Sequence, residues 1–324
     1  MERTIMTRPT PGARTRRWSM QRREEVAGWL FALPAILGFL LWWLGPLLFS
    51  AFISLTDWGL LTPPHWQGLA NYVSNVSPAH PLPGLIHDPL FWKSLQVTAT
   101  YAVIAIPGSL VAGFLIALLL AQPLRWVGLF RAIFYLPSIL PAVASALVWL
   151  WLYNPDYGLL NTVLDWAALP TSPFVSDEST VVPSLALIQI WGCGGLMLIF
   201  LAAIKGVPRS LHEAAAIDGA NALRRLWHVT LPAVSPIILF NTVTSILGTF
   251  ATGVVQDQFL TNGGGPNNAS LFMGQYLWRT AFQDGHMGYA TAMGWALFFI
   301  LLVITLAILG VARSRVYYEE PGTV

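Results

Sequence analysis

Tyr289–Ala312 reads YATAMGWALFFILLVITLAILGVA, twenty-four residues without a charged or histidine side chain. A helix rises 1.5 Å per residue, so a run of this length crosses the roughly 30 Å hydrocarbon core of a bilayer. Five more runs of the same kind lie upstream: Trp29–Leu55, Ser94–Leu120, Ala132–Tyr153, Val182–Ile204 and Ala233–Val255. None contains Asp, Glu, Lys, Arg or His, and one such residue at mid-membrane costs about 2.5–3.5 kcal/mol on insertion scales. The expected fold is therefore all-α and polytopic, with six transmembrane helices. Composition agrees. Of 324 residues, 55% are hydrophobic and 10% charged, against about 25% charge in ordinary soluble domains. That balance excludes a soluble enzyme and a disordered chain. The net charge of +2 is too small to suggest a nucleic-acid partner.

The cations sort by side. Arg3, Arg8, Arg14, Arg16, Arg17, Arg22 and Arg23 precede the first span, Arg125 and Arg131 follow the second, and Lys205, Arg209, Arg224 and Arg225 follow the fourth. Arg313 and Arg315 follow the sixth, which leaves only Lys93 and Arg279 for the opposite face. By the positive-inside rule both termini are expected in the cytoplasm. The first apolar run is far longer than the 7–15 residues of a signal-peptide core and is interrupted by Pro34 and Pro46, so it reads as an uncleaved span. The basic tail ahead of it suits contact with anionic membrane lipid.

The loops exclude several chemistries. A nucleotide-binding P-loop needs Gly, four residues, Gly, then Lys followed by Ser or Thr. The chain has two lysines. Lys93 precedes Ser94, but His87 and Trp92 stand where the glycines belong, and Lys205 is followed by Gly206. His65, His80 and His87 share the Pro-rich first outer loop at spacings that match no helical metal-ligand pair, so neither a metal nor a cofactor is expected. Asp88-Pro89-Leu90-Phe91-Trp92-Lys93 reads as an interfacial turn feeding the second span. Cys193 is the single cysteine and lies inside the fourth span, which suits a buried structural thiol.

The strongest local signal lies between the fourth and fifth spans, in residues 205–232. Ser210 and Glu213 have the spacing of a capping box just after Pro208. Glu213-Ala214-Ala215-Ala216-Ile217 is strongly helix-forming. Gly219 supplies a corner, and Asn221 caps a second helix running to about Val229, after which Pro232 opens the fifth span. Ala214, Ala215, Ile217 and Ala220 would present a small, smooth apolar surface of the kind that inserts into a partner's groove or, equally, rests as an amphipathic helix on lipid.

The string EAAAIDGANALRRLWHVTLP, Glu213–Pro232, resembles the EAA motif of ABC importer permeases. Leu136–Pro141, Trp149–Asn154 with Gly158–Asn161, and Leu260–Pro266 followed by Ala281-Phe282 and Gly288-Tyr289-Ala290 are similar to segments of the maltose-type carbohydrate permeases. The chain resembles their shorter six-span members. It departs from the pattern at Leu226, where an aromatic is common, and in Ser74–Ile86, which reads as an insertion. The resemblance implies a basic cytoplasmic tail (1–28), a permease domain (29–312) with its ATPase-coupling loop (205–232), and a C-terminal tail (313–324). It implies coupling through Glu213, Ala214, Ala215, Asp218 and Gly219. The chain would be no enzyme itself, since ATP hydrolysis would lie on a separate subunit. The implied partners are a second permease in a heterodimer, an ABC ATPase dimer and an extracytoplasmic solute-binding protein, all at a bacterial inner membrane.

A substrate path is also legible. Asn241, Ser245, Thr249, Thr252 and Gln256 recur at spacings of 4, 4, 3 and 4, which puts them on one helical face. Gln189, Trp191 and Gly192 sit in the fourth span. Neutral hydrogen-bonding groups beside an aromatic ring suit a polyhydroxyl solute, a mono- or oligosaccharide. Ser and Thr equally bond to their own helix or join two spans. Glycerol phosphate or a polyol is the alternative cargo. A secondary transporter is disfavoured, because ion-coupled carriers place ionisable groups at membrane depth.

Overall fold

The computed structural model describes residues 20–74, 82–123, 125–252 and 255–313, with the side chains of 20, 21, 251, 252, 255 and 256 excepted. The basic tail up to residue 19, residues 75–81 of the Pro-rich stretch, and the C-terminal tail from residue 314 lie outside the described residues. The chain divides into a unit ending at Phe52 and a unit beginning at Ile53.

In the first, α1 (Met20–Phe39) passes through a π-helical turn, Leu40–Leu44, into α2 (Gly45–Ile53). The turn has a cause. Pro46 has no N–H and its ring crowds the carbonyl four residues back. The Gly45 N–H bonds to the Leu40 carbonyl, and this wider loop opens the helix just ahead of the proline. The same arrangement recurs in the second unit, where Leu226–Thr230 is π-helical and the Leu231 N–H bonds to the Leu226 carbonyl, one residue before Pro232.

The second unit begins with a loop pinned by Asn71, whose side-chain amide donates to the Ser54 and Thr56 carbonyls, each at 2.8 Å. Asn71 belongs to the short α3 (Ala70–Val73). The central helix is α4 (Pro89–Ala121). It begins five residues before the expected start of the second span. Asp88 Oδ1 accepts the Leu90 N–H at 2.8 Å and Pro89 occupies the first helical position, so the expected interfacial turn is already helix.

The run expected as the third span is a bent pair, α5 (Val127–Ile139) and α6 (Ala142–Leu152), which meet at 98°. Pro141 cannot donate into the helix and forces Leu140 into extended backbone, φ −67° and ψ 135°. After α7 (Leu159–Trp166), the run expected as the fourth span is a second pair, α8 (Val181–Trp191) and α9 (Gly194–Gly206), bent by 47° about Gly192 and Cys193. Next come α10 (Arg209–Ile217), α11 (Ala222–Arg225), α12 (Leu231–Thr252), α13 (Val255–Leu260), α14 (Met273–Trp278) and α15 (Met287–Ala312). Four stretches, Arg22–Ile53, Pro89–Ala121, Ala222–Phe250 and Met287–Ala312, are continuous helices long and apolar enough to cross a membrane, and there are six crossings if each bent pair is one span. The expected six spans are compatible with this structure if the third and fourth are the bent pairs.

α8, α9, α12 and α14 all pack on α4. Around it lie three apolar clusters: one centred on Phe250, Met273 and Met293, a second on Tyr101, Leu185 and Phe272, and a third on Ala117, Met197 and Phe200. Cys193 is buried. Large apolar side chains such as Phe298, Phe299, Val303 and Leu306 on α15 remain exposed. A bilayer accepts such a surface and water does not.

Candidate functional site: the inter-helical loop and the polar faces

The loop between α9 and α12 is fully ordered by its own backbone. α10 starts directly after Pro208, which stands at the N-cap position without a side-chain bond. Ser210 is therefore inside the first turn, and the expected capping box does not form. The reason is that Pro208, φ −57° and ψ 132°, already supplies the extended entry that a capping serine would otherwise provide. The exit of α10 is more specific. The Ala220 N–H donates to the Ala215 carbonyl at 2.9 Å and the Gly219 N–H to the Ala216 carbonyl at 3.1 Å, with Gly219 at φ +79°. This is a Schellman ending, whose left-handed position favours glycine. Asn221 then caps α11 by accepting the Arg224 N–H at 2.9 Å. The second helix of the loop does not stop near Val229 as expected. It runs through the π turn into α12, because that turn accommodates Pro232 without a break.

Two faces result. Glu213, Ala214, Asp218 and Gly219 are exposed, Leu211 beside them is exposed, and Ile217 is 88% exposed. Ala215 and Asp218, with Ala220, Arg224, His228 and Val229, line a hollow of about 330 Å³. Apolar tips standing out from a polar, charged loop are costly to leave in water. The arrangement presents a short rigid helix to something outside the chain.

The expected substrate face is placed less uniformly. Gln189 is exposed, Gly192 is half-buried, and Trp191, 39% exposed, stands edge-on to Trp149 with ring centres 5.6 Å apart. Ser245 and Thr249 are half-buried. Asn241 is only 4% exposed, and its amide donates to the Ile237 carbonyl of its own helix at 2.8 Å. The side chains of Thr252 and Gln256 lie outside the described residues.

Asp88 went unnoticed as a site in the sequence. Its carboxylate is buried, and Oδ2 accepts from the Tyr276 hydroxyl at 2.6 Å and the Tyr289 hydroxyl at 2.7 Å. One side chain thereby ties the start of α4 to α14 and α15. The Asp-Pro pair carries the capping signal, but nothing in the sequence announces tyrosines 188 and 201 positions away.

Comparison with known proteins places this architecture. Residues 109–316 match the family model described as binding-protein-dependent transport system inner membrane component. The chain is 34% identical to the probable ABC transporter permease protein YesP of Bacillus subtilis, over 92% of this chain and 94% of that one. It is 31% identical to the lactose transport system permease protein LacF of Rhizobium radiobacter, over 94% of this chain and 99% of that one. Among solved structures, a bacterial alginate ABC transporter in complex with an alginate pentasaccharide-bound periplasmic protein contains a chain that superposes with a TM-score of 0.73 at 22% identity, covering 92% of this chain and 98% of that one. The chain belongs to the family of binding-protein-dependent transport system inner membrane components. It is a multi-pass membrane protein and an ABC-transporter permease.

Proposed function

We propose that this permease carries a neutral sugar inward, driven by an ATPase on separate subunits that grips α10. The observation that carries the coupling half is the loop geometry: a helix closed at its C-terminal end by the turn at Gly219, with Ile217 and Leu211 standing free of the chain's own core. The sugar half rests on the relatives, of which one is named for lactose transport, and on the spans themselves. The six apolar runs contain no Lys or Arg, so an organic phosphate would find no counter-charge from this chain. Polyhydroxyl solutes need neutral donors and acceptors, which Gln189, Ser245 and Thr249 offer beside Trp191. A second permease would complete the cavity. Side chains that face it should then be open in the single chain, as Gln189 and Trp191 are. Asn241, closed onto its own helix, we assign to packing.

Uptake by the assembled complex tests the path. Ser245→Leu and Thr249→Val are expected to raise the KM for the solute about tenfold, the worth of one or two lost hydrogen bonds, with assembly and basal ATP hydrolysis unchanged. Unaltered kinetics in both would assign the stripe to helix contacts.

We further propose that both termini and residues 205–232 face the cytoplasm, with a solute-binding protein docking on the opposite side. Leu61 is 99% exposed in the first inter-span loop and Leu223 is 63% exposed on α11. In intact cells, Leu61→Cys should react with a membrane-impermeant thiol reagent and Leu223→Cys should not. The reverse pattern would invert the orientation and remove the coupling reading with it.

A further inference from the structure

Beyond the end of the Ala222–Phe250 span, Asp257 on α13 is 1% exposed. Its Oδ1 accepts the Thr261 hydroxyl at 2.5 Å, and Thr261 Oγ1 lies 2.9 Å from Ser270 Oγ. The Gly-rich segment is wound round this chain of contacts. The Thr261 N–H donates to the Asp257 carbonyl at 2.9 Å, Gly265 N–H to the Thr261 carbonyl at 3.0 Å, and Ser270 N–H to the Gly264 carbonyl at 2.9 Å. Gly265 sits at φ +60°, and a Cβ there would fall 2.7 Å from Ser270 Oγ. Asn267, at the tip, donates to Glu178 of the loop before α8.

Asp257 Oδ2 is buried and has no hydrogen-bond partner among the described residues. Among the described residues no cation pairs with it. α6 is the main helix packed on α13, and its residues Ala142–Leu152 contain no titratable or charged group. The apolar cluster that takes in Leu260 of α13 also holds Tyr101 of α4 and Tyr153 just past α6, whose hydroxyl is given to the Ser184 carbonyl; the buried Trp149 Nε1 has no partner among the described residues. Residues 258–278 contain one titratable side chain, Tyr276, whose hydroxyl is given to Asp88. The nearest ion pair along the chain, Arg279 with Asp284 at 3.9 Å, is engaged with itself, and Glu178 reaches the loop only through Asn267. A carboxylate enclosed this way, with one oxygen facing nothing, is costly when ionised and less costly when a proton neutralises it.

We propose that Asp257 is a proton-operated clasp: when neutral it holds the Gly263–Ser270 loop closed, and when ionised it loosens it. Burial pushes its pKa up to about 6 from 3.8, opposed by the hydroxyls of Thr261 and Ser270. The sign follows. The proton is held more tightly in the clasped loop than in the opened one, so the clasp is strongest below the ordinary carboxyl value, weakens as pH rises towards 6, and changes no further above it. The clasp is independent of the solute carried, so its failure and that of the sugar reading are separable.

The test is amide hydrogen exchange of residues 261–270 in the assembled complex in lipid, at pH 5.0 and 7.5, corrected for the intrinsic pH dependence of exchange. Two titration points separated by this pKa difference predict about tenfold faster corrected exchange at pH 7.5 in the wild type. Asp257→Asn should be insensitive to pH. Thr261→Val, which removes a bond that lowers the pKa, should shift the transition to higher pH. Corrected wild-type exchange that is the same at both pH values overturns the proposal without reference to any variant. So does Asp257→Asn exchange that keeps the wild-type pH dependence.

Discussion

Gly219→Pro is expected to abolish uptake while the chain still inserts in the membrane. Three losses coincide at this position. Proline removes the N–H that bonds to the Ala216 carbonyl. It cannot adopt the φ of +79° at which Gly219 sits. It also drives Asp218 away from helical backbone, so α10 unwinds from its C-terminal end. If α10 carries the ATPase's movement to the spans, the link must be rigid, and a frayed end dissipates the displacement before it reaches α12. Gly219→Ala keeps the N–H and pays only for the left-handed conformation, about 1–2 kcal/mol, so partial uptake should survive. ATP hydrolysis that continues without uptake in Gly219→Pro is the expected signature of uncoupling. Normal uptake in Gly219→Pro would remove the loop from the mechanism. Glu213→Lys tests the docking side of the same loop: it reverses an exposed charge without touching the backbone, and should weaken retention of the ATPase while leaving the fold intact.

The second large effect is expected at Asp88. Asp88→Ala leaves the Tyr276 and Tyr289 hydroxyls buried without an acceptor and uncaps α4. Each orphaned hydroxyl costs about 1–3 kcal/mol, and loss of the cap about 1 kcal/mol more. The thermal midpoint of the purified protein should fall by several degrees. Asp88→Asn keeps the cap through its one oxygen but turns an amide NH2, a donor, towards the two hydroxyls that Oδ2 accepts, so its stability should fall between that of Asp88→Ala and wild type. Tyr276→Phe and Tyr289→Phe should each cost less than Asp88→Ala, since the other donor still reaches the carboxylate. Equal stability of Asp88→Ala and wild type would show that the cluster does not hold α14 and α15 to the start of α4.

The two residues illustrate how far the linear chain can be read. Gly219 was legible because a helix C-terminus is local: a helix-forming run, then Gly, then a capping Asn within nine residues. The capping role of Asp88 is equally local, carried by an Asp-Pro pair that stands ahead of the apolar run beginning at Ser94. The burial of Asp88 and Asp257 was not legible. Burial comes from packing: tyrosines of α14 and α15 close over Asp88, and the folded-back Gly-rich segment with α6 encloses Asp257. The polar stripe on α12 shows the same divide. Period-four spacing put Asn241, Ser245 and Thr249 on one face, but which of them is open depends on what packs against that face.

Helix identity, the number of apolar runs and the capped loop at 205–232 were therefore determined by the sequence alone, since each rests on composition or hydrogen bonds within a few residues. The bends in the third and fourth spans stand between the two levels. Pro141 and the Gly192–Cys193 step mark where a helix can break, while the angles of 98° and 47° are set by packing. Only the tertiary structure decided which polar side chains lose their water. Desolvation depends on neighbours distant in sequence, and in this chain it turns two acidic residues of the inter-span loops into a pin between helices and a candidate proton clasp.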